Sequence, residues 1–165
     1  MAVTLRPMPD DVIGGWLDVS NAHYEAERLA NGDSPELAAQ KARASREQYF
    51  PSDRPIDTHV VFQVMAGEPG AAAQPVGQPV GVLWLGPLTD ERPNEWWVFD
   101  IEIDAAHQGH GYGRAAMQAA EAVAREHGAT KLGLNVFGTN TVAQNLYRSL
   151  DYTTTATTMW KPLES

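Results

Sequence analysis

The sequence predicts a single α/β domain spanning residues 1–165, with a mixed, mostly antiparallel sheet of about six or seven strands flanked by helices. Three observations lead there. The chain has 165 residues and is 43% hydrophobic, which is one domain of ordinary size with enough apolar side chains for a full core. Three segments, Thr58–Met65, Val80–Leu85 and Trp96–Ile103, alternate apolar and polar residues with the period of a half-buried strand. Finally, the third of these runs into a glycine-punctuated loop and then an alanine-rich helical stretch, a strand–loop–helix unit.

Taken in order, Val3 to Arg6 is short and β-capable, and Pro7 and Pro9 stop it. Asp10 or Asp11 can cap a helix that reaches Ala30, where Asn31-Gly32 ends it. A second helix follows: Ser34 suits the N-cap, Pro35 the first helical position, and Pro51 closes it. Val60, Phe62 and Val64 share a face of the next strand, and Val80, Val82 and Trp84 a face of the one after. Between them, residues 66–78 are rich in Gly, Ala and Pro and read as a long mobile hairpin loop without chemistry. In the fourth strand strict alternation puts Trp97, Phe99, Ile101 and Ile103 on one face and Trp96, Val98, Asp100 and Glu102 on the other. Two carboxylates then share a face, about 6.6 Å apart along the strand. A helix is expected from about Arg114 to His127, with Ala115, Met117, Ala120, Val123 and Ala124 inward. A fifth strand covers Lys131–Phe137, and Asn140 starts a helix with Val142, Ala143, Leu146 and Leu150 as its stripe. Tyr152 to Trp160, threonine-rich and alternating, is expected as a final antiparallel strand.

The loop from Gln108 to Gly113 carries the first functional signal. Gly109, Gly111 and Gly113 permit backbone conformations closed to other residues, and the first N–H groups of the following helix lack intrahelical partners, so the unit is a cradle for an anion such as phosphate. A GxxxxGK[ST] loop is absent, and GxGxxG fails at Arg114. What remains, Gln-x-x-Gly-x-Gly between a strand and a helix, resembles the GNAT superfamily of acyl-CoA-dependent N-acetyltransferases. A second signature agrees with it: Asn140-x-x-Ala143-x-x-Leu146-Tyr147-x-x-Leu150-Asp151-Tyr152 departs from the family pattern only at Asp151, where the family has a glycine at a left-handed helix end.

The resemblance implies a sheet splayed between its fourth and fifth strands, where acyl-CoA inserts. It implies that the backbone of Gln108, Gly109, His110, Gly111, Tyr112, Gly113 and Arg114 holds the pyrophosphate, and that the main chain of Ile101 and Ile103 bonds the pantetheine arm. Asn140 binds that arm, caps its helix, or does both. Tyr147 occupies the position of the general acid that protonates the departing thiolate. The early helical pair forms a wall of the acceptor site, which brings His23, Tyr24, Glu25, Glu27 and Tyr49 toward substrate. One position departs: where members acting on ribosomal protein N-termini carry a glutamate, this chain has Asn135. The base is therefore Glu102, Asp100 or a chain of waters.

Composition excludes other classes. A net charge of −9 argues against a nucleic-acid partner and is compatible with a cationic substrate. No stretch approaches eighteen apolar residues and the amino terminus lacks a basic-then-apolar leader, so a cytoplasmic protein without a membrane partner is expected. Five scattered histidines suggest no metal site, and the lack of cysteine rules out an acyl-cysteine intermediate, favouring direct transfer in a ternary complex. The expected activity is acetyl transfer from acetyl-CoA to a primary amine, of a small molecule or a protein N-terminus. A non-catalytic acyl-CoA sensor and transfer of a longer acyl group are the rivals, and the resemblance leaves room for a homodimer through the last strand.

Overall fold

The computed structural model describes residues 2–67 and 77–163, so residues 68–76 of the expected hairpin loop lie outside the described residues. The elements run β1 (Val3–Pro7), α1 (Asp10–Ala30), α2 (Pro35–Tyr49), β2 (Val60–Ala66), β3 (Pro79–Pro87), β4 (Glu95–Ile103), α3 (Tyr112–Glu126), β5 (Lys131–Leu134) and α4 (Thr141–Arg148). Two compact units divide the chain at Leu134, residues 1–134 and 135–165.

The first unit holds one five-stranded sheet in the order β1-β2-β3-β4-β5. Neighbours are antiparallel from β1 to β4, and β5 is parallel to β4 because the intervening α3 carries the chain back along the sheet. Pairing of β4 with β5 covers only Glu95–Val98 against Lys131–Leu134, while β4 continues to Ile103. The sheet therefore parts after Val98, as the splay requires.

On one face α1 and α2 pack through Ile13, Leu17, Phe50, Val61 and Trp84, with Trp16, Tyr49, Val82 and Phe99 against them. On the other, α3 lies over β1, β3 and β4 through Ala116, Met117, Ala120 and Ala124, all buried. Its alanines let helix and sheet approach closely.

Strict alternation fails in β4. Leu85 of β3 pairs with Val98 but Trp84 pairs with Asp100, so Phe99 is an extra residue in a β-bulge. Trp96 and Val98 consequently face α3, while Asp100 and Glu102, register partners of Trp84 and Val82, face α1 and α2. The expectation that all four share a face is corrected, and so is that for Ile101 and Ile103, which pair with Leu83 and Gly81 on the α3 side.

Other boundaries differ too. α1 starts after Pro9 with no side-chain cap, although Asp10 and Asp11 lie in its first turn, where they suit the helix dipole. Ser34 does cap α2, its hydroxyl accepting from Leu37 N–H at 3.3 Å. β5 ends at Leu134, three residues before the expected Phe137. In the second unit Val142 of α4 is exposed, outside the apolar stripe expected for it. The final strand expected over Tyr152–Trp160 does not form, and Met159 and Trp160 are exposed. Among the described residues the sheet thus has five strands rather than six or seven.

Candidate active site

After Ile103 the chain makes a 3-10 turn over Ala105–His107 and enters the glycine loop. The Gln108 side-chain amide donates to the Ile103 carbonyl at 2.9 Å, folding the loop back on the end of β4. Gly109 and Gly111 adopt φ of 76° and 83°, and Gly111 is the N-cap of α3. A Cβ at either would meet nothing within 4 Å, so backbone conformation rather than crowding demands glycine there. The helix begins at Tyr112, two residues before the expected Arg114, which places Gly113 and Arg114 in its first turn. Ala115 is the first of these residues whose N–H reaches a helical acceptor, the Gly111 carbonyl at 3.2 Å. The N–H groups of Tyr112, Gly113 and Arg114 stand at the positive end of a helix of 15 residues. An exposed loop of Gln108, Gly109, His110 and Gly111 leading into such a start suits a pyrophosphate.

Downstream of the bulge, Asp100 and Glu102 meet α1. The Ser20 hydroxyl donates to Asp100 Oδ2 at 3.4 Å, and His23 Nδ1 lies 3.6 Å from Glu102 Oε2. Ser20, His23 and Glu27 are spaced i, i+3 and i+7, one stripe of the helix. Burial first, and the Glu102 charge second, raise the Asp100 carboxyl to about 6. Burial also raises Glu27, partly offset by His23. Glu102 and His23 keep 51% and 60% of their side-chain surface, so the group opens to solvent on that side.

Next to Asp100 stands an aromatic stack that the sequence reading did not assemble. Tyr49 stacks on His59 at 5.0 Å and approaches Phe99 at 5.0 Å, while Trp84 stacks on Phe99 at 4.8 Å. Trp84 Nε1–H donates to His59 Nδ1 at 3.0 Å inside this cluster, and burial lowers the His59 pKa. His59 is therefore neutral, with its proton on Nε2. Ser20 was also missed; its spacing from His23 and Glu27 was the available signal. Tyr49 was named, but as a separate contact residue; burial, with Tyr24 nearby, pushes its hydroxyl up.

In the second unit, Asn140 caps α4 by accepting from Ala143 N–H at 3.1 Å. Tyr147, half-buried, lies 6.0 Å from Tyr152 ring to ring, and its carbonyl accepts from Tyr152 N–H at 3.0 Å. Asp151 has φ of 66°, the left-handed helix end at which the signature carries glycine. Asn135 and Asn140 flank the irregular stretch before α4. Among the described residues no group of three or more His, Asp or Glu could hold a metal ion, and no helix is long and apolar enough to cross a membrane.

Comparison with known proteins bears on the same elements. The chain is 27% identical over 166 residues to the uncharacterized N-acetyltransferase YdgE of Bacillus subtilis strain 168, covering 99% of each. The solved structure of YycN from Bacillus subtilis, whose acetyltransferase designation is itself provisional, superposes with a TM-score of 0.84 at 25% identity, over 99% of this chain and all of that one. At 12% identity the fold alone is shared with AAC(6')-Iy, solved with the bisubstrate analog CoA-S-monomethyl-acetylneamine, at a TM-score of 0.58 over the full length of both chains. The sequence model of the Acetyltransferase (GNAT) family matches residues 33–152, a span that holds the glycine loop, the splayed strands and the Asn140–Tyr152 signature. With most of its length matched and its sheet parted where that family admits acyl-CoA, the chain belongs to the GNAT acetyltransferases.

Proposed function

We propose that the chain moves an acetyl group from acetyl-CoA directly to a primary amine in a ternary complex, both units serving one acetyltransferase domain. The observation that carries this reading is the Asp100 carboxyl, raised to about 6 beside Glu102 at the point where β4 leaves β5. An alkylammonium has a pKa near 10.4, and freeing its lone pair at neutral pH costs about 4 kcal/mol. A carboxylate with affinity near 6 accepts that proton better than an ordinary one. In this reading Asp100 and Glu102 act as a coupled pair: half-exposed Glu102 meets the amine, and buried Asp100 supplies the higher proton affinity.

The amine nitrogen forms its C–N bond to the thioester carbonyl, the C–S bond breaks, and one N–H proton passes to the pair. The backbone N–H near Ile103 would donate to the carbonyl oxygen as charge builds on it. Tyr147 gives its phenolic proton to the departing thiolate. Loop residues Gln108 to Arg114 would hold the pyrophosphate, with Asn140 contributing to the arm. A neighbour bound to an analog that joins CoA to an amine supports a site of this kind.

Coenzyme A release from acetyl-CoA, followed with a thiol reagent over a panel of amines, tests the proposal, and a protein without cysteine adds no background. Tyr147→Phe is expected to lower kcat about a hundredfold with acetyl-CoA binding unchanged. Tight acetyl-CoA binding with no release for any amine would instead make the chain an acyl-CoA sensor.

A further inference from the structure

A cavity of about 570 Å³ lies between the end of α2, the approach to β2 and the β3–β4 turn, outside the residues that serve transfer. Tyr49, Ile56, His59 and Pro87 make its wall, and Asp57, Asp90 and Glu91 are the charged groups that line it. No lysine or arginine is among the lining residues. His59 adds no positive charge, because Nδ1 takes the Trp84 N–H and must be unprotonated to do so. Arg92, next in sequence, is directed to Glu95 at 3.3 Å. Hydrogen bonds from its own backbone and from Thr89 hold the Glu91 carboxyl below the usual range, keeping it ionised.

The cavity is joined to the catalytic carboxylates by a strip of rings. Tyr49 belongs to its wall and stands 5.0 Å from Phe99, the bulge residue that precedes Asp100. Both rings are half-buried and so offer an apolar surface to a ligand. Asp100 pairs with Trp84, and Pro87 of the cavity wall is three residues further along β3, a separation of roughly 10 Å. An amine bound at Asp100 and Glu102 thus finds a second anionic pocket one extended alkyl chain away.

We propose that this cavity is the distal acceptor subsite, and that the acceptor is an extended dication: a primary amine joined by an apolar spacer of about 10 Å to a second ammonium group. The proposal rests on the transfer reading above for the near end only. Tyr49 and Phe99 take the spacer, and Asp57, Asp90 and Glu91 take the distal cation, a partly exposed site where charge complementarity sets preference more than affinity.

The experiment has two arms, wild type against the triple variant Asp57→Asn, Asp90→Asn, Glu91→Gln, with folding of the variant checked by circular dichroism. Calorimetry with octamethylenediamine and with octylamine reads binding without turnover. The diamine is expected to bind wild type about tenfold more tightly than the monoamine, and the triple variant is expected to lose that preference. Equal affinities in wild type, or a preference that survives the substitutions, would overturn the subsite. The second arm measures kcat/KM for acetylation of diamines from ethylenediamine to decamethylenediamine. A maximum near the eight-carbon member, absent from the triple variant, is expected, and a flat series overturns the spacing. Diamine binding with the expected preference but no coenzyme A release would leave the subsite standing and reject the transfer reading instead.

Discussion

Asp100 is a carboxyl that the fold keeps short of water, and its proton affinity follows from that position. Folded, it holds its proton up to about pH 6; unfolded, it releases it near 3.8. Between those values the native state binds more protons than the unfolded chain, so this residue's contribution to stability falls as pH rises through the window. The loss is on the order of 3 kcal/mol, and Asp100→Asn should remove it. Urea unfolding of both proteins at pH 4 and pH 7 checks this: the wild type should lose stability relative to the variant on going to neutrality. Activity has the opposite dependence. kcat/KM should rise with pH through about 6 as the base becomes free, and Asp100→Asn should lower it about a hundredfold and erase that limb. The two carboxylates were legible in the sequence as residues, but not their unequal affinities, since burial is set by α1, which lies eighty residues upstream of Asp100 at Ser20.

Elements with their own punctuation were the most legible. α2 carries Ser34, Pro35 and Pro51 at its ends and forms over Pro35–Tyr49, because caps and proline act locally. The left-handed end of α4 was likewise readable at Asp151, whose φ of 66° suits glycine better than any side chain. Asp151→Gly should therefore stabilise the protein by about 0.5–1 kcal/mol, read as a higher midpoint in urea with unchanged slope. What depended on pairing was not legible. Tyr152–Trp160 has the composition of a strand, yet a strand exists only where a neighbour completes its hydrogen bonds, and no strand forms there. The same holds for β5, whose apolar alternation runs to Phe137 while its pairing stops at Leu134. Register is a property of two strands, so the β4 bulge left no mark in the spacing of β4 alone.

For the molecule, the two functional surfaces proposed above depend on one strand. The glycine loop hangs from the end of β4 and the carboxylates project from its last four residues, so in the proposed reaction the site for the donor and the site for the proton share a support. Family membership and the left-handed glycines of the loop were readable at this scale because both rest on short contiguous motifs. The acceptor side was not, being drawn from α1, α2, β2 and β3 at large sequence separations. Its construction also sets how the protein can change. Phe99 works as a parity switch: up to Val98 the even-numbered residues of β4 face α3, and from Asp100 on they face α1 and α2. Deleting Phe99 would take out the extra residue and leave a strand that alternates regularly through Val98 and Asp100, with Val98 still opposite Leu85 and Asp100 still opposite Trp84. Asp100 and Glu102 would keep facing α1 and α2 and Ile101 the α3 side, while the ring packed against Trp84 and Tyr49 would be lost. The expected result is a folded protein destabilised by about 2–4 kcal/mol, seen as a lower midpoint of a cooperative urea transition, with Phe99→Ala as the control that loses the ring but keeps the bulge. Length in β4 is therefore adjustable at this one position, where the strand already carries a residue that its partner does not match.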